Sequence, residues 1–253
     1  MAGTISSSDV VTFTDKVALS RDAAHRFVSL AARKTNQGEN FTVALAGGST
    51  PLLLYTLLST STFSDSILWA KVHCFFGDER CVSPSSSDSN YRMAQQTLLS
   101  VPELPTANIH RMPADLPDQD AAALQYETEL KEFFGADLPR FDLILLGMGP
   151  DGHCASLFPN KPALQERKRL VVATEPGFPP LVSRLTLTLP ILNNAANLVF
   201  LVAGEDKSET LGRVLEGPND PEALPSQAIQ PTDGTLTWLI DRPASRSLLQ
   251  NQS

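Results

Sequence analysis

Short apolar runs alternate with longer stretches of helical period along nearly the whole chain. The runs at residues 10–13, 41–46, 72–76, 108–111, 141–147, 170–173, 185–189, 198–203 and 235–240 lack a helical period and read as strands. Between them, residues 17–34, 52–58, 91–99, 121–134 and 208–215 read as helices. The fourth helix follows Asp118, a good N-cap, and stops at Gly135; the last stops at Gly217-Pro218. This alternation predicts an α/β fold, with a mostly parallel sheet flanked by helices on both faces. No internal repeat or long linker divides the chain, and the proline-rich connections at 176–180 and 217–225 are short. A single domain over residues 1–253 is therefore expected. The polar stretch 83–89 follows a strand and reads as a mobile rim.

Composition narrows the partners. A formal charge of −8 argues against nucleic acid or an anionic membrane surface as the main partner. An anionic metabolite is still compatible, held by a few local cations and backbone amides. Cys74, Cys81 and Cys154 are odd in number and lack close-paired spacing, which predicts reduced thiols rather than a disulfide framework. The opening Met-Ala-Gly-Thr-Ile-Ser-Ser-Ser has neither the basic start nor the apolar core of a signal peptide. No run approaches the ~18 apolar residues of a membrane span. The expectation is a soluble, cytoplasmic chain, monomeric or weakly homo-oligomeric.

Two glycine turns follow apolar strands. In Ala46-Gly47-Gly48-Ser49-Thr50-Pro51, the glycines allow close backbone approach and Pro51 suits a first helical position. With Ser49 or Thr50 as N-cap, free amides and hydroxyls would meet at a positive dipole end, a ready phosphate site. A tight strand–helix turn without a ligand has the same pattern. The loop lacks the lysine of a Walker loop, and Pro51 replaces the last glycine of a Gly-x-Ser-x-Gly elbow.

The second turn, Gly147-Met148-Gly149-Pro150-Asp151-Gly152-His153, matches the spacing of a dinucleotide fingerprint, with Glu175 further on. Pro159 and Pro162 break the helix such a fingerprint requires, so no nicotinamide site is expected. What remains is Asp151 and His153 on a turn at the carboxyl end of a strand, where open α/β sheets bind ligands. Imidazole is the natural general base near neutral pH. His25, His73 and His110 lie within or beside regular elements and read as structural.

Phe76-Gly77-Asp78-Glu79-Arg80 also follows a strand. Its charged groups either enter the same crevice or form an internal salt-bridged turn; the sequence leaves both open. His73, Cys74, Asp78 and Cys81 fit no standard zinc spacing, so no metal is expected. Arg184 precedes a strand, and Lys207 stands at a helix start, where a cation opposes the dipole unless an anion joins it.

Taken together, these segments resemble the 6-phosphogluconolactonases, within the wider group that includes glucosamine-6-phosphate isomerase/deaminase. The landmarks are Gly47-Gly48-Ser49-Thr50-Pro51, Gly77-Asp78-Glu79-Arg80, Asn90-Tyr91, Gly149-Pro150-Asp151-Gly152-His153 with Ser156-Leu157-Phe158-Pro159, Arg184-Leu185-Thr186-Leu187-Thr188, and Ser226-Gln227. The resemblance implies a cofactor-independent, Rossmann-like enzyme hydrolysing 6-phospho-D-glucono-1,5-lactone to 6-phosphogluconate. It implies that Gly47, Gly48, Ser49 and Thr50 hold the phosphate with Arg184 and Lys207, and that His153 is the catalytic base. Asp78, Arg80 and Asp151 would line the ring-binding crevice, with either aspartate as partner of His153. The deaminase branch places a glutamate five residues beyond that histidine, where this chain has Phe158. A sugar-phosphate deaminase and a non-catalytic sugar-phosphate sensor are the competing expectations.

Overall fold

A computed structural model describes residues 9–248; the opening octapeptide read above for a leader lies outside them. In chain order the elements are β1 (Asp9–Phe13), α1 (Lys16–Thr35), β2 (Phe41–Leu45), α2 (Ser49–Leu58), α3 (Ser61–Ser64), β3 (Val72–Phe76), β4 (Asp78–Arg80) and α4 (Asn90–Gln95). There follow α5 (Gln119–Phe134), β5 (Leu143–Leu146), β6 (Val171–Thr174), β7 (Arg184–Leu187), α6 (Leu189–Leu192), β8 (Asn197–Val202), α7 (Ser208–Glu216) and β9 (Thr235–Asp241).

Six strands form one parallel sheet in the order β1-β9-β8-β5-β2-β3. The central strands β2 and β5 are buried along their whole length, which is why they read as near-continuous apolar runs, interrupted only by Thr42 in β2. Successive residues of a strand point to opposite faces. Phe41 pairs with Val72 and Ala44 with Phe75, so Phe41 and Phe75 lie on opposite faces. Phe41 meets Phe27 of α1 at 5.3 Å between ring centroids, and Phe75 meets Phe133 of α5 at 5.1 Å. Helices therefore cover both faces, as the alternation predicted.

Three expectations need correction. Residues 170–173 and 185–189 do not extend the parallel sheet: β6 and β7 pair antiparallel, and with β4 they make a second sheet, β4-β7-β6. The segment joining them is too short for a parallel crossover, which takes a dozen or more residues. Residues 108–111 form no strand either. Thr106–Asn108 is a 3₁₀ turn, and Ile109 alone bridges to Cys74. The Asn108 side chain donates to the carbonyls of Ala70 (3.1 Å) and Val72 (3.0 Å), bonds that a ladder would otherwise supply. Finally, the helix expected over 91–99 breaks after Gln95, and Leu98–Ser100 turns as 3₁₀.

Candidate active site

The strand order changes direction between β2 and β5: β3 lies beyond β2 on one side, and β8 and β9 lie beyond β5 on the other. Diverging connections open a crevice at such a point, outside the carboxyl ends of the strands. A cleft of about 200 Å³ sits there, lined by the segments leaving β2 and β5 and by β4 and β7. Gly47, Gly48, Asp78, Arg80, His153, Arg184 and Lys207 all line it, whereas Ser49, Thr50 and Asp151 are not among its lining residues. The polar stretch 83–89 does not line it, and its end is tied down by the Ser89 hydroxyl on Glu79 (3.0 Å).

The first glycine turn differs from expectation in one detail. Gly48, at φ 106°, is the N-cap of α2, and Ser49 and Thr50 are helical residues. That φ is costly for residues other than glycine, so the turn fixes the cap one position earlier than a Ser/Thr preference suggests. No side chain caps the helix, so its first amides have no capping partner of their own.

The second turn is built around an imidazole. Gly149 N–H donates to the His153 carbonyl (2.8 Å), and Gly152, at φ 82°, donates to Gly149 (3.0 Å). Ser226 closes the loop from outside, its hydroxyl donating to the Gly152 carbonyl (2.8 Å). His153 Nδ1 lies 2.5 Å from Asp151 Oδ1, which makes Asp151 rather than Asp78 its partner. Burial alone would raise the Asp151 carboxyl, but hydrogen bonding and charge from His153 hold it below its ordinary range. With Nδ1 donated to a carboxylate, Nε2 is the nitrogen left for a ligand. The ring is fixed by Phe158 (4.7 Å) and Phe178 (5.7 Å).

Strand alternation separates the two readings of Asp78-Glu79-Arg80. Asp78 and Arg80 share the cleft face, while Glu79 points away and accepts from the N–H groups of Asn90 (2.8 Å) and Tyr91 (2.7 Å) at the start of α4. Burial raises the Glu79 carboxyl, against the pull of those donors. Asp78 accepts from the Ser156 hydroxyl (2.6 Å) and the Asn90 amide (3.2 Å). Ala155, at φ 47°, turns the chain just before Ser156.

Arg80 and Arg184 are directly opposed across the β4–β7 pair. Arg184 is 3% exposed; it donates to the carbonyls of Phe178 (2.9 Å) and Pro180 (3.2 Å) and lies over the Phe158 ring (5.6 Å). Burial lowers its pKa from the ordinary arginine value and the charge of Arg80 adds to that, outweighing the opposite pull of Asp78 and Glu79. Neither arginine is within ion-pair distance of a carboxylate among the described residues. Lys207, the residue before α7, pairs among the described residues only with the largely exposed Asp206 (3.0 Å).

Sequence reasoning gave no role to Asn90, Ser156 or Phe178. The first two were visible only as landmarks of resemblance, and Phe178 lay hidden in a proline-rich loop. The other histidines are elsewhere: His25 packs on Phe63 (5.0 Å), and His73 contacts His110 (3.1 Å), which pairs with Glu129 (2.7 Å). Among the described residues no cluster of three or more His, Cys, Asp or Glu is arranged to hold a metal. The three cysteines are free, and burial pushes the Cys74 and Cys154 thiols up to about 12. No helix of the described residues is long and apolar enough to cross a membrane.

Fold and cleft together define an α/β protein with a small-molecule site, equipped for an anion, at the switch point of a parallel sheet. The chain belongs to the family described as glucosamine-6-phosphate isomerases/6-phosphogluconolactonase, whose sequence profile matches residues 14–238. It is 46% identical to a 6-phosphogluconolactonase of Synechocystis over 82% of this chain and 84% of the relative. A 6-phosphogluconolactonase of Nostoc is 42% identical over 84% of this chain and 86% of the relative. The solved 6-phosphogluconolactonase of Trypanosoma cruzi superposes with a TM-score of 0.88 at 26% identity, covering 98% of this chain and all of that one (100%).

Proposed function

We propose that the chain hydrolyses 6-phospho-D-glucono-1,5-lactone to 6-phosphogluconate, with His153 as general base. The observation that carries the anionic substrate is the opposed pair Arg80 and Arg184, neither of which has a carboxylate within ion-pair distance among the described residues. Like charges facing each other across a strand pair are destabilising. A buried cation without a counter-ion costs still more. A phosphate or a developing oxyanion between them turns that cost into affinity.

In this reading the phosphate lies against Gly47, Gly48 and the first amides of α2, at Ser49 and Thr50, with Arg184 and Lys207 as its cations. Each charge-assisted bond contributes roughly 1.5–3 kcal/mol and holds the ring in register. Nε2 of His153 takes a proton from water as the water oxygen bonds to the lactone carbonyl carbon. Asp151 holds the tautomer and stabilises the imidazolium. Arg80 stabilises the tetrahedral oxyanion. On collapse the ring C–O bond breaks, the ring oxygen takes the proton from His153, and the product acid then ionises. Asp78, held by Ser156 and Asn90, accepts from ring hydroxyls. As written, these steps need no cofactor.

Phe158 bears on the competing deaminase. Its ring packs against His153 and beneath Arg184, and it has no proton to relay. The test is direct. Purified protein should hydrolyse the lactone well above its uncatalysed rate and release no ammonia from glucosamine 6-phosphate. Ammonia release without lactone turnover would overturn the reading, as would tight 6-phosphogluconate binding without turnover.

A further inference from the structure

Asn90 is 2% exposed, lines the cleft, and touches three parts of it at once. Its Nδ2 donates to the Asp78 carbonyl (2.9 Å) and to Asp78 Oδ1 (3.2 Å), while its Oδ1 accepts from Nη1 of Arg80. Its own N–H is fixed on Glu79 (2.8 Å), so the amide plane is set by the start of α4. On its remaining side it lies against Gly47, where a β-carbon would fall inside the amide group. Gly47 has no positive φ. Its lack of a side chain therefore makes room for Asn90 rather than relaxing the backbone.

A side-chain amide donates to a carboxylate with one atom and accepts from a guanidinium with the other, which neither a carboxylate nor an apolar side chain can do. From these contacts we infer that Asn90 is the positioning residue of this cleft, setting Arg80 and Asp78 against each other and against the Gly47–Gly48 turn. A carboxylate in its place would neutralise Arg80 and repel Asp78. An apolar side chain would release both.

Asn90 acts through Arg80 and Asp78, so its effect should shrink sharply where Arg80 is already gone, leaving only what it exerts through Asp78. That prediction rests on the lactonase reading, and the experiment keeps the two apart. Wild type, Asn90→Ser, Arg80→Ala and the double variant are assayed for lactone kcat/KM, and for 6-phosphogluconate affinity by calorimetry, under conditions where circular dichroism shows all four folded. Asn90→Ser should lose roughly 10²-fold in kcat/KM, a misplacement-sized effect. The double variant should lose no more than about threefold beyond Arg80→Ala, because interacting residues are non-additive. Losses that multiply would reduce Asn90 to a purely structural role and overturn the inference, as would an Asn90→Ser protein within twofold of wild type.

Gly47→Ala provides the second route, since it pushes on the amide without deleting it. It should reproduce the Asn90→Ser loss, and wild-type kinetics in Gly47→Ala would contradict the inference. If the wild type binds 6-phosphogluconate but does not turn over the lactone, the lactonase reading falls and the calorimetric cycle still decides the role of Asn90. A wild type that does neither overturns both.

Discussion

The imidazole of His153 lies directly over the α-carbon of Gly149, so close that a β-carbon there would enter the ring. The same β-carbon would press on Oδ1 of Asp151 at 2.6 Å. Gly149 is thus glycine because the acid–imidazole pair occupies the space a side chain would need.

Gly149→Ala should therefore act on chemistry more than on folding. The ring atom nearest that β-carbon, at 2.1 Å, must move by about 1 Å to reach ordinary contact, and a 1 Å misplacement is enough for a loss on the order of 10²-fold. Kinetics alongside thermal unfolding would show kcat falling by that factor while KM changes little. A variant with wild-type kcat would mean that the position of His153 does not matter.

Arg184 should report on the phosphate. Removing it with Arg184→Ala forfeits charge-assisted bonds of roughly 1.5–3 kcal/mol, a rise in KM of roughly ten- to 100-fold. Arg184→Lys keeps the charge but cannot fork between the Phe178 and Pro180 carbonyls and a ligand, so it should recover only part of that loss. An unchanged KM in Arg184→Ala would remove this residue from the phosphate site.

Stability in acid should depend on Glu127, which ties α5 to the start of β6. Burial would raise its carboxyl, but hydrogen bonds from Lys131 and Arg169 and from the Leu170 N–H outweigh it and bring it from 4.5 to about 2. A carboxyl depressed by folding stabilises the native state above its unfolded pKa, and that contribution is lost as pH falls from about 4.5 to about 2. Glu127→Gln should cost about 1–3 kcal/mol near neutral pH. It should also flatten the fall in urea midpoint across that acid window. A variant whose midpoint falls as steeply as wild type would show that Glu127 is not the group responsible.

Much of the frame was legible because its causes are local. Strands β2 and β5 are buried on both faces and so read as near-continuous apolar runs; Gly135 and Gly217 end helices in the sequence as in the structure. The second sheet was not legible, since β4, β6 and β7 are short and a pairing partner is not a local property of a strand. The opposition of Arg80 to Arg184 follows only from that pairing. Preference for Ser or Thr at a cap misled at Gly48, where backbone geometry outranked side-chain chemistry. At 108–111 the Asn108 side chain replaced ladder bonds that an alternation pattern cannot foresee. Asp151 and His153 are legible in the sequence because they sit two apart on one turn; Asn90 is not, because its partners converge on it from separate segments.

The central claim is that Nε2 of His153 takes the proton from the attacking water. His153→Asn keeps a side-chain N–H for Asp151 and removes the base, so it isolates that step. Its lactone kcat, measured above the uncatalysed rate, should fall about 10²- to 10⁴-fold, with KM and 6-phosphogluconate affinity little changed. Turnover within a few-fold of wild type would contradict the account.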